Sequence, residues 1–214
     1  MNTPMIIEAL ASVQRAILAN ESQIESLDRA IGDGDHFVNV RRGCEVLAVM
    51  SPSLADMPPG LALHKIGMKL LGTIGGASGP LISSFFMAMG QSVQDAREPD
   101  RRQFATAFAA GVEAIKQRGK ADVGEKTMLD VLIPVSRLLL KLVDEDTPLP
   151  ELCAQLKDEA HRNMLATKDM IASKGRAYFL GERALGHIDP GCKTCEVAIT
   201  AVCDTVLLTR QETA

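Results

Sequence analysis

The chain has 214 residues, of which 46% are hydrophobic and 23% charged, with a net charge of −4; this suits one globular domain and excludes a disordered chain. Its 23 basic residues are dispersed rather than gathered into a patch, which excludes the footprint of a nucleic-acid binder. No stretch reaches the roughly 18 apolar residues of a membrane span, and a composition with no Trp and one Tyr leans helical. Five Cys, an odd number, and an N-terminus without a basic and apolar leader lead us to expect a reduced, cytoplasmic protein with no targeting segment.

Apolar residues recur at helical spacing along most of the chain. Ile6, Ile7, Leu10, Val13 and Ile17 predict a first helix over 4–20, with Pro4 in its first turn, and 21–27 is expected to continue it. A second helix is expected over 38–50, although Phe37-Val38-Asn39-Val40 also suits a strand that has no partner. Leu63, Ile66, Gly67, Leu70, Leu71 and Ile74 predict a third, stopped by Gly75-Gly76. The next is expected to begin with Ser78 or Gly79 as cap and Pro80 as its first residue. Phe104, Phe108, Val112 and Ile115 mark a further helix, and 127–143 another, in which Pro134 either kinks the helix or marks its start. Two more are expected over 149–168 and 195–208, separated by a glycine-rich segment over 174–191. The expectation is one all-α domain, residues 1–214, of about eight up-and-down helices.

The chemistry concentrates in Asp28-Arg29-Ala30-Ile31-Gly32-Asp33-Gly34-Asp35-His36. Three carboxylates in eight residues, two of them spaced by glycine, can be turned toward one point, and oxygen-only ligands suit a hard ion such as Mg²⁺ or Ca²⁺ rather than zinc. The stretch is no EF-hand, because twelve residues from Asp33 falls on Cys44 and from Asp28 on Asn39. Nor is it a dinucleotide fingerprint, since Phe37 stands where a third glycine belongs. A solvated turn is the plainer reading, and the convergence of three acids disfavours it.

Three glycine-rich loops remain. Gly75-Gly76-Ala77-Ser78-Gly79-Pro80 opens a helix and so can offer amides to an anion, although taken alone it reads better as a tight helix–helix turn. Gly119-Lys120-Ala121-Asp122-Val123-Gly124-Glu125-Lys126-Thr127 resembles a Walker loop with one extra residue and no preceding strand; it still offers glycine amides, Lys126 and Thr127. The stretch from Gly175-Arg176-Ala177 through Gly181-Glu182-Arg183 to His187-Ile188-Asp189-Pro190-Gly191 carries two arginines, a histidine and a carboxylate suited to clamping phosphate. Cys192-Lys193-Thr194-Cys195 lacks a second cysteine pair and is read as incidental. If these loops gather at one end of the helices, they form a metal–polyphosphate site.

Four of these blocks, in this order, resemble the ADP/ATP-binding L subunit of dihydroxyacetone kinase over essentially the whole chain: Ile31 to His36, Gly75 to Leu81, Gly124-Glu125-Lys126-Thr127-Met128-Leu129-Asp130-Val131, and Gly175 to Gly191. The resemblance implies a closed barrel of eight antiparallel helices with the nucleotide capping one end. It implies that Asp28, Asp33 and Asp35 hold two Mg²⁺ ions bridging the phosphates. His36, Asn39, Ala77 and Ser78 would lie along the phosphates, Gly119 and Met128 would line the adenine pocket, Arg176 would approach the phosphates, and Asp189, Pro190 and Gly191 would close the site. Such a subunit has no nucleophile of its own, and Arg176 is the one candidate for a catalytic side chain. It passes the γ-phosphoryl of ATP to dihydroxyacetone bound covalently on a separate K subunit. A stand-alone chain of this kind keeps ADP, recharged by a phosphohistidine M subunit of the phosphoenolpyruvate phosphotransferase system, whereas fused kinases exchange ADP for ATP. A homodimer is compatible with the sequence.

Two departures stand out. Phe37 occupies a position where the family commonly has Gly, and a ring there is expected to crowd the phosphate end or reshape the substrate rim, opening another triose or tetrose as substrate. Tyr178-Phe179 replaces a small residue followed by Tyr. The competing class is a non-catalytic nucleotide-binding regulator partnered with a transcription factor, for which Phe37 is the only support. An all-α metal-dependent pyrophosphohydrolase fits the carboxylates but lacks the expected Glu-rich helical motifs.

Overall fold

The computed structural model describes residues 1–211, so the last three residues of the expected domain 1–214 lie outside the described residues. Nine α-helices stand among the described residues: α1 Thr3–Ala19, α2 Glu21–Ile31, α3 His36–Met50, α4 Pro59–Leu71, α5 Ser78–Ser92, α6 Arg101–Gly119, α7 Leu129–Asp144, α8 Leu149–Ala166 and α9 Pro190–Gln211. Three 3-10 segments, Ser51–Leu54, Thr167–Asp169 and Arg176–Ala184, complete the described elements, and no strand occurs among them. The all-α expectation holds. None of the helices is long and apolar enough to cross a membrane.

Local chemistry sets the helix ends. Asn2 accepts from Met5 N at the start of α1, and a capping box of Asp100 and Gln103 opens α6. The ninth helix arises at Asn20, whose backbone leaves the helical region (φ −104°, ψ 11°) and splits the expected first helix. The resulting α2 runs on to Ile31, which places Asp28 in its last turn. Segment 37–40 is helical, not a strand. Helix α4 ends at Leu71, before the glycine pair, and α5 starts at Ser78 with Ala77 as its cap position, so Pro80 is its third residue. Pro134 lies inside α7 without setting its start. Helix α9 begins five residues earlier than expected, because Asp189 accepts from Cys192 N and Pro190 fits the first helical position.

Packing runs from α4 to α5, α6, α7, α8 and α9, on to α1, and through α1 and α3 back to α4. One buried cluster fills the space among α6, α7, α8 and α9, and a second lies among α1, α3, α4, α5 and α6. Helices α3, α5, α7 and α9 begin at one end of the molecule, around a single cavity, while α2 and α6 finish there. That end collects the positive poles of four helix dipoles.

Candidate functional site

The cavity at this end has a volume of about 500 Å³ and is lined by residues from every loop singled out in the sequence. Of the expected site residues, Asp28, Asp33, Asp35, His36, Ala77, Ser78, Gly119, Met128, Arg176, Asp189, Pro190 and Gly191 all line it. Asn39 does not; it is buried behind the wall, with its amide oxygen beside Gly75. Arg183 and His187 also stand off the cavity, so only Arg176 and Asp189 remain of the expected four-member clamp.

The acidic loop is built around the buried Asp28. Its Oδ2 accepts from the backbone N–H of His36 at 2.9 Å, so one carboxylate caps the next helix from the end of the preceding one. Gly32 has no room for a side chain, because a Cβ there would fall 1.8 Å from Asp28 Oδ1. Gly34 takes φ +81°, a turn that glycine adopts without strain. His36 Nε2 sits 2.8 Å from Thr194 Oγ1, which ties α3 to α9. Burial lowers the His36 pKa, opposed by the charges of Asp28, Asp35 and Asp33. Desolvation, a hydrogen bond with Asp33 and the Asp33 charge raise the Asp35 carboxyl above its usual range, while Asn39 pulls the other way.

The three carboxylates do not converge on one point as the spacing suggested. Asp33 Oδ2 accepts from Arg176 Nε at 2.7 Å, and among the described residues no three His, Cys, Asp or Glu side chains gather closely enough to hold a metal as they stand. The donor set nevertheless fits a hard cation. It is oxygen-only, and Asp33 and Asp28 both push the Asp35 pKa upward, a repulsion that a dication relieves.

Four helix N-termini face the cavity, and three are occupied by side-chain oxygens. His36 N donates to Asp28, Leu129 N to Thr127 Oγ1 at 3.3 Å, and Cys192 N to Asp189 Oδ2 at 2.8 Å. The fourth, α5, has no side-chain cap, and the nearby Ser78 hydroxyl reaches only Gly75 O at 3.4 Å. Its first-turn amides are the uncommitted donors of the site.

The 119–127 loop is different. Asp130 is buried in the first turn of α7 and accepts from the amides of Gly124 and Thr127, the latter at 2.7 Å. Lys126 is 1% exposed, with its Nζ donating to Ala184 O at 2.6 Å and Met170 O at 3.1 Å. The expectation that this loop offers an amide at Gly124 and a free lysine is therefore corrected: both are committed to the protein.

Burial pushes the Asp189 carboxyl up to about 6, against the hydrogen bond from Cys192. Burial also raises the Cys192 thiol and lifts Cys195 to about 12, so neither is a thiolate near neutral pH. Cys192 Sγ donates to Thr127 O at 2.8 Å, joining α9 to the 119–127 loop, a structural task that the pair's spacing did not reveal.

Phe37 overturns its expectation. It is 1% exposed and packs with Ile17, Ile24 and Val197 beneath α3, away from the cavity. Burying that ring contributes about 2–3 kcal/mol to stability and leaves the phosphate end uncrowded. Tyr178 and Phe179, by contrast, are exposed beside Arg176. The sequence reading missed Thr194 and Asp130, and the apolar lining Leu81, Ile115 and Leu129. Only Asp130 had a legible signal, as an acid in the first turn of a helix that follows a glycine loop.

Comparison with known proteins adds three findings. Residues 30–204 match the DAK2 domain family. The chain is 38% identical over 176 residues to the ADP-binding subunit DhaL of the PEP-dependent dihydroxyacetone kinase of Escherichia coli (strain K12), covering 82% of this chain and 84% of that one. It is 36% identical over 189 residues to the ADP-binding subunit DhaL of the PTS-dependent dihydroxyacetone kinase of Lactococcus lactis (strain IL1403), covering 88% and 90%. Among solved structures, the dihydroxyacetone kinase from C. freundii in complex with AMP-PNP and Mg²⁺ superposes with a TM-score of 0.73 at 25% identity. That match covers 94% of this chain and 34% of that one.

Proposed function

The chain belongs to the DAK2 domain family, and from that premise we propose that it is the nucleotide-holding L subunit of a dihydroxyacetone kinase, with residues 1–214 acting as one domain. The observation that carries this reading is the shared cavity: three aspartates, an uncapped helix N-terminus and Arg176 all line it. Carboxylates and a polyphosphate repel one another, so holding both requires a cation. Mg²⁺, expected as two ions, supplies that charge neutralisation when held by Asp28, Asp33 and Asp35.

The residues of the chain supply position. The amides at the start of α5, at the cap position Ala77 and at Ser78, donate to phosphate oxygens. His36, steadied by Thr194, and Asn39, packed against the glycine loop, support that end. Gly119 and Met128, with Leu81, Ile115 and Leu129, form an apolar slot for adenine. Asp189, Pro190 and Gly191 close it. Arg176 has a planar fork suited to phosphate and can exchange Asp33 for a phosphate oxygen. In this reading the chain supplies no nucleophile to the reaction, and rate enhancement comes from orientation and electrostatics.

The acceptor in this reading is dihydroxyacetone held covalently on a separate K subunit, and the bound ADP is recharged in place by a phosphohistidine M subunit. The PEP- and PTS-dependent names of relatives of matching length support that mode. The buried position of Phe37 withdraws the sequence ground for a different ketose or for a regulator working with a transcription factor.

The test incubates the purified chain with a K subunit, dihydroxyacetone and either a phosphotransferase cascade or ATP. Triose phosphate formed with the cascade, and ADP retained through dialysis, are expected. Product with ATP alone would mean an exchanging kinase subunit, and no product in any mixture would favour the regulator. Asp33→Asn is expected to weaken Mg²⁺-dependent ADP binding by about 100-fold or more in calorimetry with the circular dichroism unchanged. Unaltered affinity would overturn the metal assignment.

A further inference from the structure

Lys126 carries a charge that the proposed chemistry does not use, yet it is almost fully buried and its backbone sits at φ +60°. A non-glycine residue stays in the left-handed region only where its surroundings over-determine it. Here the surroundings are two backbone carbonyls. Lys126 Nζ donates to Met170 O and Ala184 O, which stand at the two ends of segment 170–184. The neck of that segment is closed by Gly186 N donating to Lys168 O at 2.9 Å. Its flank is fastened by Ser173, whose amide donates to Glu125 O at 3.3 Å and whose hydroxyl donates to Glu125 Oε1 at 2.8 Å. Beneath it, Ala172, Ala177 and Ala184 pack on Ile31 at the end of α2. At its tip, Arg176 reaches Asp33.

We propose that Lys126 is a positioning residue of the nucleotide site: its ammonium clamps both ends of segment 170–184 and thereby sets where the Arg176 guanidinium stands relative to the acidic loop. The effect on nucleotide rests on the cavity being a nucleotide site, whereas the clamp itself is readable without any ligand. A neutral isostere fills the same space but leaves two carbonyls without their shared donor. A lysine touching phosphate directly, as in a Walker loop, would instead act independently of Arg176. The two roles separate in a double-mutant cycle, because residues acting through one another give non-additive losses.

The experiment compares the full chain, Lys126→Met, Arg176→Gln and the double variant by hydrogen exchange without ligand and by calorimetry with Mg²⁺ and ADP. In Lys126→Met, amides of 170–184 are expected to exchange about tenfold faster, with peptides of α6 and α8 unchanged. ADP affinity is expected to fall about tenfold, and the double variant to bind no more weakly than Arg176→Gln alone. Unchanged exchange in 170–184, or losses that multiply, would overturn the inference. Should Lys126→Met fail to fold by circular dichroism, Ser173→Ala loosens the same segment from its exposed side. Its smaller acceleration of 170–184 and a loss of affinity absent in the Arg176→Gln background are then expected, and their absence counts against the clamp. Should the unmodified chain bind no ADP, the nucleotide reading falls, and the exchange data alone decide whether Lys126 holds the segment.

Discussion

Two glycine-rich loops lead into helices at the cavity, and in sequence each looks like a phosphate cradle. Residues 72–77 precede α5, and residues 120–128 precede α7. In the structure their donors have opposite fates. Before α7, Asp130 takes the amides of Gly124 and Thr127, Glu125 takes that of Asp122 at 2.6 Å, and Lys126 is committed to two carbonyls. Before α5, the amides of Thr73 and Ile74 donate to Leu70 O, and no described side chain accepts from the glycine amides that follow them. The cause lies in the first helical turn. Helix α7 carries an acid as its second residue, which folds back on the loop, whereas α5 starts Ser78-Gly79-Pro80 and has no carboxylate to do so. An anion site is thus defined by donors that the protein leaves uncommitted, and glycine content alone does not identify one.

The largest test of this contrast is Asp130→Ala. It leaves two loop amides without their charged acceptor and should cost about 4 kcal/mol, lowering Tm by about 10 °C, as read by thermal and urea unfolding. A neutral result would mean the α7 loop is held by something else and the contrast is false.

Asp189 offers the next effect, at a capped terminus. Its carboxyl titrates near 6 when folded and near 3.9 when unfolded, so the folded chain holds the extra proton between those values. Stability from this group is therefore full below about pH 4 and is lost as pH rises through 6. Asp189→Asn keeps an acceptor for Cys192 N but cannot ionise. Between pH 4 and 7 the unmodified, nucleotide-free chain should lose about 2–3 kcal/mol more than this variant in urea unfolding. Parallel curves would show that burial does not hold the proton there.

Ser78→Asp tests the uncapped terminus with the smallest effect. A carboxylate in the first turn of α5 should stabilise the protein by about 0.5 kcal/mol while reducing Mg²⁺-ADP affinity about tenfold, or about 1.4 kcal/mol. The opposite signs are the signature of a helix end left open for an anion. Stability and affinity that rise together would remove α5 from the phosphate site.

Much of this was legible in the chain. Apolar spacing predicted eight of the nine helices because it records which face each one buries, and the Asp-Gly pattern located the acidic loop because glycine is the residue that turns it. Helix ends were read less well. The Asn20 break and the early start of α9 at Asp189-Pro190 depend on single capping residues that periodicity does not register.

Side-chain direction was beyond the sequence. Phe37 lies next to His36, and one residue along a helix turns a side chain by about 100°, which sends the ring into the core while His36 lines the cavity. Partner choice was equally hidden. Lys126 and Arg176 are both basic residues beside glycines, yet the carbonyls of Met170 and Ala184 claim one and Asp33 claims the other. The helices, the order of the loops and the types of donor they carry follow from local propensity and spacing, and so were readable in the chain. Which donors the fold consumes and which it leaves for a ligand depends on packing, because the residues that consume them are distant in the chain, 58 positions for Lys126 and Ala184 and 158 for His36 and Thr194.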